Sequence, residues 1–168
     1  MFALHRLMAP VHMVPLPIAA RIASMLFQQV LKTHPNLFDR LGEYSQSRFG
    51  FVPTDLPFAF SIRPGSRDIQ TVRRGAALAT DATITGPLFL MLALAEGRVD
   101  GDAIFFARKL AVTGDMEAIL ALRNALDDNE IDLAKTVGSF SGPLKSSVSD
   151  LLSSIRRQAL KAHGVAWS

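Results

Sequence analysis

Four histidines are the residues here best suited to acid–base or metal chemistry, and their spacing serves neither. His5 and His12 are seven apart in a proline-bounded start, His34 precedes Pro35, and His163 lies in the tail. A zinc site needs three or four ligands converging at short range. No such spacing occurs, so no metal ligand set is expected. Serines are abundant but follow no nucleophile-elbow pattern; most lie near the C-terminus, where solvation accounts for them. Asp100-Gly101-Asp102 carries part of a calcium-loop pattern but lacks its further spaced ligands and closing glutamate, and reads as a turn. Gly65, Gly75 and Gly86 form no phosphate-cradling pattern, and Gly97, Gly101 and Gly114 read as turn or cap residues. The expectation is a protein without catalytic residues, cofactor or metal, and not an enzyme.

The apolar segments are the stronger signal. Residues 87 to 95, Pro-Leu-Phe-Leu-Met-Leu-Ala-Leu-Ala, hold no polar side chain. A surface helix shows an apolar stripe and a polar back, whereas one that is apolar all round must be covered on most of its perimeter. The cover is either a protein core or a lipid. Ile104-Phe105-Phe106 is likewise apolar on both faces of an expected strand, which calls for cover on both sides.

The totals narrow the setting. A chain of 168 residues fits one domain with terminal additions and can bury a real core. Hydrophobic content of 49% is at the upper end of ordinary usage, and the net charge is only +3. Arg73-Arg74, Arg108-Lys109 and Arg156-Arg157 are isolated pairs rather than long basic runs, so nucleic acid is not expected as a partner. Anionic lipid headgroups suit the last pair. With no cysteine, disulfides and thiol-based sites are excluded. No apolar run reaches the roughly 18 to 20 residues of a membrane span, and Pro10, Pro15 and Pro17 interrupt any leader-like start. The reading is a cytoplasmic protein.

Texture divides the chain into three. Residues 1–56 read as a helical extension: a short turn at Phe2 to Met8, a helix with Ile18, Ile22, Met25, Leu26 and Val30 at helical spacing, and a further helix from about Asn36 to Arg48. Phe49, Phe51 and Pro53 then read as an irregular connection. Residues 57–128 change period. Phe58, Phe60 and Ile62 alternate as a strand with one buried face, and residues 63–67 turn into a partner at Asp68 to Arg74. Asp81 to Thr85, Ala103 to Ala107 and Leu110 to Thr113 read as three more strands. Gly86-Pro87 opens the apolar helix, and Asp115 caps a second helix. Residues 129–168 hold a linker at 138–142 and an amphipathic helix with Leu144, Val148, Leu151, Leu152, Ile155 and Ala159 on one stripe. The fold class expected is α+β: a five-stranded, mainly antiparallel sheet covered by helices, with N-terminal and C-terminal helices added.

The run Asp81-Ala-Thr-Ile-Thr-Gly86, the apolar helix ending Leu94-Ala-Glu-Gly97, and Phe105-Phe-Ala-Arg-Lys-Leu-Ala-Val-Thr-Gly-Asp115 followed by Met116 resemble the lipid-binding domain of sterol carrier protein type two. The match covers about Pro57 to Leu126. Ala107-Arg108-Lys109 stands where typical members have a small or glycine residue between the last two strands. That departure and the proline-bearing N-terminal extension are similar to a bacterial subgroup, accessory factors for ubiquinone biosynthesis of the UbiT type.

The resemblance implies a non-catalytic lipid-binding accessory factor with an apolar tunnel. The implied ligand is an isoprenoid quinone precursor or a phospholipid, presented to oxygen-independent hydroxylase proteins of ubiquinone biosynthesis. Face alternation and the family's tunnel location together mark Phe58, Phe60, Ile62, Ile84, Leu88, Leu92, Phe105, Leu110, Val112, Met116, Ile119 and Leu120 as lining residues. Ile18 to Val30 and Leu144 to Ala159 either close the tunnel, pack on the core, or give peripheral contact with the inner membrane. The alternatives are a protein-interaction scaffold, a general phospholipid or sterol carrier, and an enzyme of the acyl- or thioester-handling kind; the last is disfavoured by the empty catalytic search. A packed core explains the same apolar residues without any lipid.

Overall fold

The alternating Phe58, Phe60 and Ile62 do form a strand, and the turn after them sends the chain back beside it. In the computed structural model, which describes residues 14–97, 108–132 and 135–136, β2 (Phe58–Arg63) and β3 (Asp68–Arg73) form an antiparallel hairpin with Phe60 opposite Thr71 and Ile62 opposite Ile69. Around it the described chain builds a five-stranded sheet in the order β3-β2-β1-β4-β5. Its other members are β1 (Phe49–Pro53), β4 (Ala82–Gly86) and β5 (Ala111–Gly114). Only β1 and β4 run parallel; the other pairings are antiparallel. The expected class, α+β with a mainly antiparallel five-stranded sheet, is the observed one.

One member differs from the expectation. The segment at Phe49, Phe51 and Pro53, expected as an irregular connection, is instead the central strand β1. Gly50 and Pro53 mask its alternation, but both are accommodated. Gly50 lies under Thr80, where a Cβ would come within 2.7 Å of the Thr80 methyl, and Pro53 ends the strand, where a missing donor matters least. The expected division after residue 56 therefore falls inside the sheet, between two paired strands. The expected strand at 103–107, with Phe105, and the C-terminal helix at 144–159 lie outside the described residues.

Three α-helices are described. α1 (Leu16–Thr33) starts with proline in its first turn, where a missing N–H costs nothing. It stops at His34, before Pro35. α2 (Leu88–Ala95) is the all-apolar segment, and α3 (Met116–Asp127) follows β5. The helix expected at 36–48 is a 3-10 segment, Asp39–Gln46, broken at Gly42, whose φ of 55° no helix tolerates. Asp115 caps α3 as expected, its carboxylate accepting the N–H groups of Glu117 and Ala118. α2 has no cap in its own sequence; Asp55, in the loop between β1 and β2, accepts the Leu88 N–H at 3.0 Å.

The sheet has two unlike faces. Strand register places Thr71, Phe60, Phe51, Ile84 and Val112 in one row across it. The neighbouring row on the opposite face is Gln70, Ser61, Gly50, Thr83 and Thr113. The first face is apolar and is met by the helices; the second is small and polar. Helices segregated to one face of a mainly antiparallel sheet give the α+β architecture. The buried side chains fall into two clusters. One, around Phe49, Leu90, Met91 and Leu122, joins β1, α2, β4 and α3. The other, Phe27, Leu31, Leu37 and Ile131, sits under α1.

Candidate functional site

Between those two clusters the apolar face of the sheet is not filled. A partly open cavity of about 310 Å³ lies there, with Phe27 and Leu37 of one cluster and Phe49, Met91 and Leu122 of the other among its walls. The size is at the lower end of ordinary small-molecule pockets, roughly 300 to 1,000 Å³.

Each wall has a local cause. The floor is the apolar row of the sheet: Phe49, Phe51 and Pro53 of β1, Phe60 and Ile62 of β2, Ile69 of β3 and Ile84 of β4. One side is α1, through Ala23, Leu26, Phe27 and Val30, a stripe at helical spacing. The other is α2, through Leu88, Met91, Leu92, Leu94 and Ala95. Because α2 is apolar all round, it can pack Leu90 and Ala93 into the core and still present an apolar wall to the cavity. Leu122 and Leu126, one turn apart on α3, close the far end. Thr136 alone brings a hydroxyl, and that donates to the Asp132 carbonyl at 2.8 Å. No charged side chain lines the space among the described residues. Such a site can bind a ligand only by removing its hydrocarbon from water.

The twelve residues singled out from sequence do not share one fate. Phe60, Ile62, Ile84, Leu88 and Leu92 line the cavity. Phe58 shares their sheet face but is buried one pair further along, beneath the guanidinium of Arg73, whose carbon lies 5.0 Å from the ring centre. Leu110, Val112 and Ile119 belong to or pack on the core cluster and not to the lining. Met116 and Leu120 are 60% and 54% exposed, correcting their expected place in the wall. The inward face of α3 is set by Ala118, Ile119, Leu122 and Ala125, and Met116 and Leu120 stand on the other side. Phe105 lies outside the described residues.

Sequence reasoning missed the contribution of β1, for which the period-two spacing of Phe49 and Phe51 was the available signal. For α1, closing the tunnel was one of the alternatives held for Ile18 to Val30, and Ala23, Leu26, Phe27 and Val30 line the cavity.

Among the described residues no group of histidines and carboxylates could hold a metal ion, and no helix is long and apolar enough to cross a membrane. Among the described residues one titrating group is strongly perturbed. Tyr44 donates to Glu117 at 2.9 Å, and this hydrogen bond, with some burial and the nearby carboxylates, pushes its phenol up to about 12. The pair ties the 3-10 segment to α3, behind the cavity wall.

A profile described as the SCP-2 sterol transfer family matches residues 27–127. Among solved structures, a UbiJ-SCP2 ubiquinone synthesis protein is similar at 16% identity with a TM-score of 0.56, over 71% of this chain and 98% of that one. The sterol carrier protein domain 2 of Helicoverpa armigera is 18% identical over 63% of this chain and 87% of that one, with a TM-score of 0.47. The inverting sec-alkylsulfatase Pisa1 from Pseudomonas sp. is 10% identical over 55% of this chain and only 15% of that enzyme, with a TM-score of 0.44. No curated protein matches the sequence.

Proposed function

Since the chain belongs to the SCP-2 sterol transfer family and is a lipid-binding domain of that type, we propose that it is a non-catalytic accessory factor that shields isoprenoid quinone precursors and presents them for ubiquinone synthesis. The observation that carries this reading is the cavity of about 310 Å³ on the apolar sheet face, whose described lining holds no charge. A polyprenyl tail is nearly insoluble, since each methylene removed from water is worth about 0.8 kcal/mol. Enzymes in an aqueous compartment reach the attached ring only if a protein covers the tail. Walls that are apolar throughout do that and perform no bond chemistry of their own.

The likeness to a UbiJ-SCP2 ubiquinone synthesis protein supports the pathway. Ala107-Arg108-Lys109 and the proline-bearing segment before α1 support the UbiT type within it, with oxygen-independent hydroxylases as the receiving enzymes. Placement in an aqueous compartment, in peripheral contact with the inner membrane, belongs to the same proposal.

Native mass spectrometry of the purified protein tests it. The expected result is protein carrying lipid mass, and uptake of an added polyprenylated precursor by delipidated protein. Repeated recovery of lipid-free protein that takes up no precursor would overturn the proposal. The uniformly apolar lining also suits ordinary phospholipid or sterol cargo, and competition decides: a general carrier releases precursor to equimolar phospholipid or sterol, whereas a quinone-specific one retains it. A pull-down that keeps its partners after lipid is stripped would instead favour a scaffold.

A further inference from the structure

The two halves of α1 are held very differently. Its buried side chains, Phe27 and Leu31, both lie in the second half, in the cluster with Leu37 and Ile131. Polar ties reinforce that end. Gln28 donates to the Arg67 carbonyl at 3.0 Å, and the Arg67 guanidinium donates to the Pro35 carbonyl at 2.9 Å. Arg67 makes both contacts from a left-handed backbone, with φ at 54°. Such strain persists only where the surrounding contacts over-determine it, so this end of the helix is pinned.

The first half has nothing equivalent. No residue from Leu16 to Leu26 is buried, and Ile18 and Met25 are about half exposed. Its half-buried positions include Ala19, Ala20, Ala23 and Ser24, small side chains that remove little apolar surface from water. Among the described residues one polar tie joins this half to the sheet. It is the hydrogen bond from Arg73 to the Val14 carbonyl, 3.4 Å and so at the weak end of the range. Ala23 and Leu26 are nevertheless part of the cavity wall. Segments with few buried apolar contacts are the ones that open locally, at a fraction of the free energy of global unfolding.

We infer that residues 16–26 of α1 form a flap through which cargo enters and leaves, moving against the end pinned by Phe27, Leu31 and Arg67. This rests on the lipid-binding reading above and deepens it. Lifting the flap from β3 uncovers Ile69 and the neighbouring Phe60 and Ile62 of the cavity floor, and leaves the core cluster around Phe49 and Leu90 in place. Arg73 is the catch: its guanidinium rests on the Phe58 ring, 5.0 Å from the centre, and reaches Val14 from there. Opening, and not the affinity of the closed cavity, then sets the rate of exchange.

The chain contains no cysteine, so introduced thiols are unique and either half can be tied down in turn. Val14→Cys with Arg73→Cys, joined by a short bis-methanethiosulfonate linker, fastens the flap. Gln28→Cys with Arg67→Cys, joined in the same way, fastens the end that is already pinned. The full chain is loaded with a pyrene-labelled long-chain alcohol, and release is followed after an excess of unlabelled alcohol is added. The flap tether should slow release roughly tenfold or more and leave equilibrium affinity within about twofold, and reductant should restore the rate. The second tether should leave release within about twofold of the same variant without linker. Arg73→Gln, which needs no linker, should speed release about two- to fivefold, the effect of one weak hydrogen bond.

Release from the flap-tethered protein at the rate of its reduced form would overturn the inference. So would equal slowing by both tethers, which would mean that the whole helix moves or that linkers stiffen the protein generally. Failure of the untethered wild type to bind the alcohol would overturn the lipid reading instead.

Discussion

The carbonyl oxygen of Asp81 accepts the main-chain N–H of Asp115 at 2.9 Å, so that the residue just before β4 is tied to the residue that caps α3. The Asp81 carboxylate also accepts the Arg48 N–H at 2.7 Å, ahead of β1. Three strand ends meet there. Gly114 passes directly over this point with φ at 89°, and a Cβ on it would collide with the Asp81 carbonyl oxygen and lie 3.0 Å from the Ala82 Cα. Neither neighbour is a movable side chain. Gly114→Ala should therefore destabilise the protein by roughly 2 kcal/mol or more, combining a disfavoured backbone conformation with overpacking. Urea denaturation checks this; a midpoint unchanged from the wild type would show that the backbone relaxes freely.

Leu92 faces the cavity from α2 and is half-buried. In Leu92→Trp the added volume enters empty space, so stability should change by less than about 1.5 kcal/mol. Lipid loading should fall at least tenfold. Thermal unfolding beside quantitative native mass spectrometry separates the two effects. Loss of both together would mark Leu92 as ordinary core.

Asp55 supplies the cap that α2 lacks in its own sequence. Asp55→Ala should cost about 1 kcal/mol, the usual value of a lost N-terminal cap, and Asp55→Asn should recover most of it, since the amide oxygen still accepts. Chemical denaturation of both variants gives the comparison, and equal loss in the two would point to the charge rather than the hydrogen bond.

Tyr44 is the chain's single tyrosine, which makes its titration directly readable from phenolate absorbance. The transition is expected at about 12, because the phenol donates to Glu117 and ionising it breaks that bond. The fold favours the neutral phenol. Its contribution to stability is therefore complete below the unfolded value, about 10, and is lost as pH rises through about 12. Glu117→Gln should bring the transition down toward 10. A wild-type transition already at 10 would mean that the Tyr44–Glu117 hydrogen bond is not kept in solution.

Features encoded locally were legible in the sequence. Alternation marked β2, the turn cluster after it marked β3, the unbroken apolar run marked α2, and Asp115 after Gly114 marked the start of α3; each depends on residues a few positions apart. β1 was not legible, because Gly50 and Pro53 interrupt its pattern and its parallel pairing with β4 joins distant segments. Of the residues marked by face alternation and by the family resemblance, Phe60, Ile62, Ile84, Leu88 and Leu92 line the cavity. Met116 and Leu120 were misplaced because sequence shows that a helix is apolar on one side but not how it is rotated. On α3 that rotation is decided by small Ala118 and Ala125, which are fully buried.

The cavity walls are drawn from positions as far apart as Ala23 and Thr136, on α1, the sheet, α2, α3 and the chain beyond it. No single hairpin or helix pair contains enough of the lining to hold a ligand. Capturing hydrocarbon and completing the fold are thus one equilibrium: a molecule bound only by the assembled walls stabilises the whole chain by mass action, about 2.7 kcal/mol at a hundredfold excess over its Kd. Melting temperature should then climb with cargo concentration for every buried segment together, so that a simple thermal scan can rank unknown cargoes without labelling any of them.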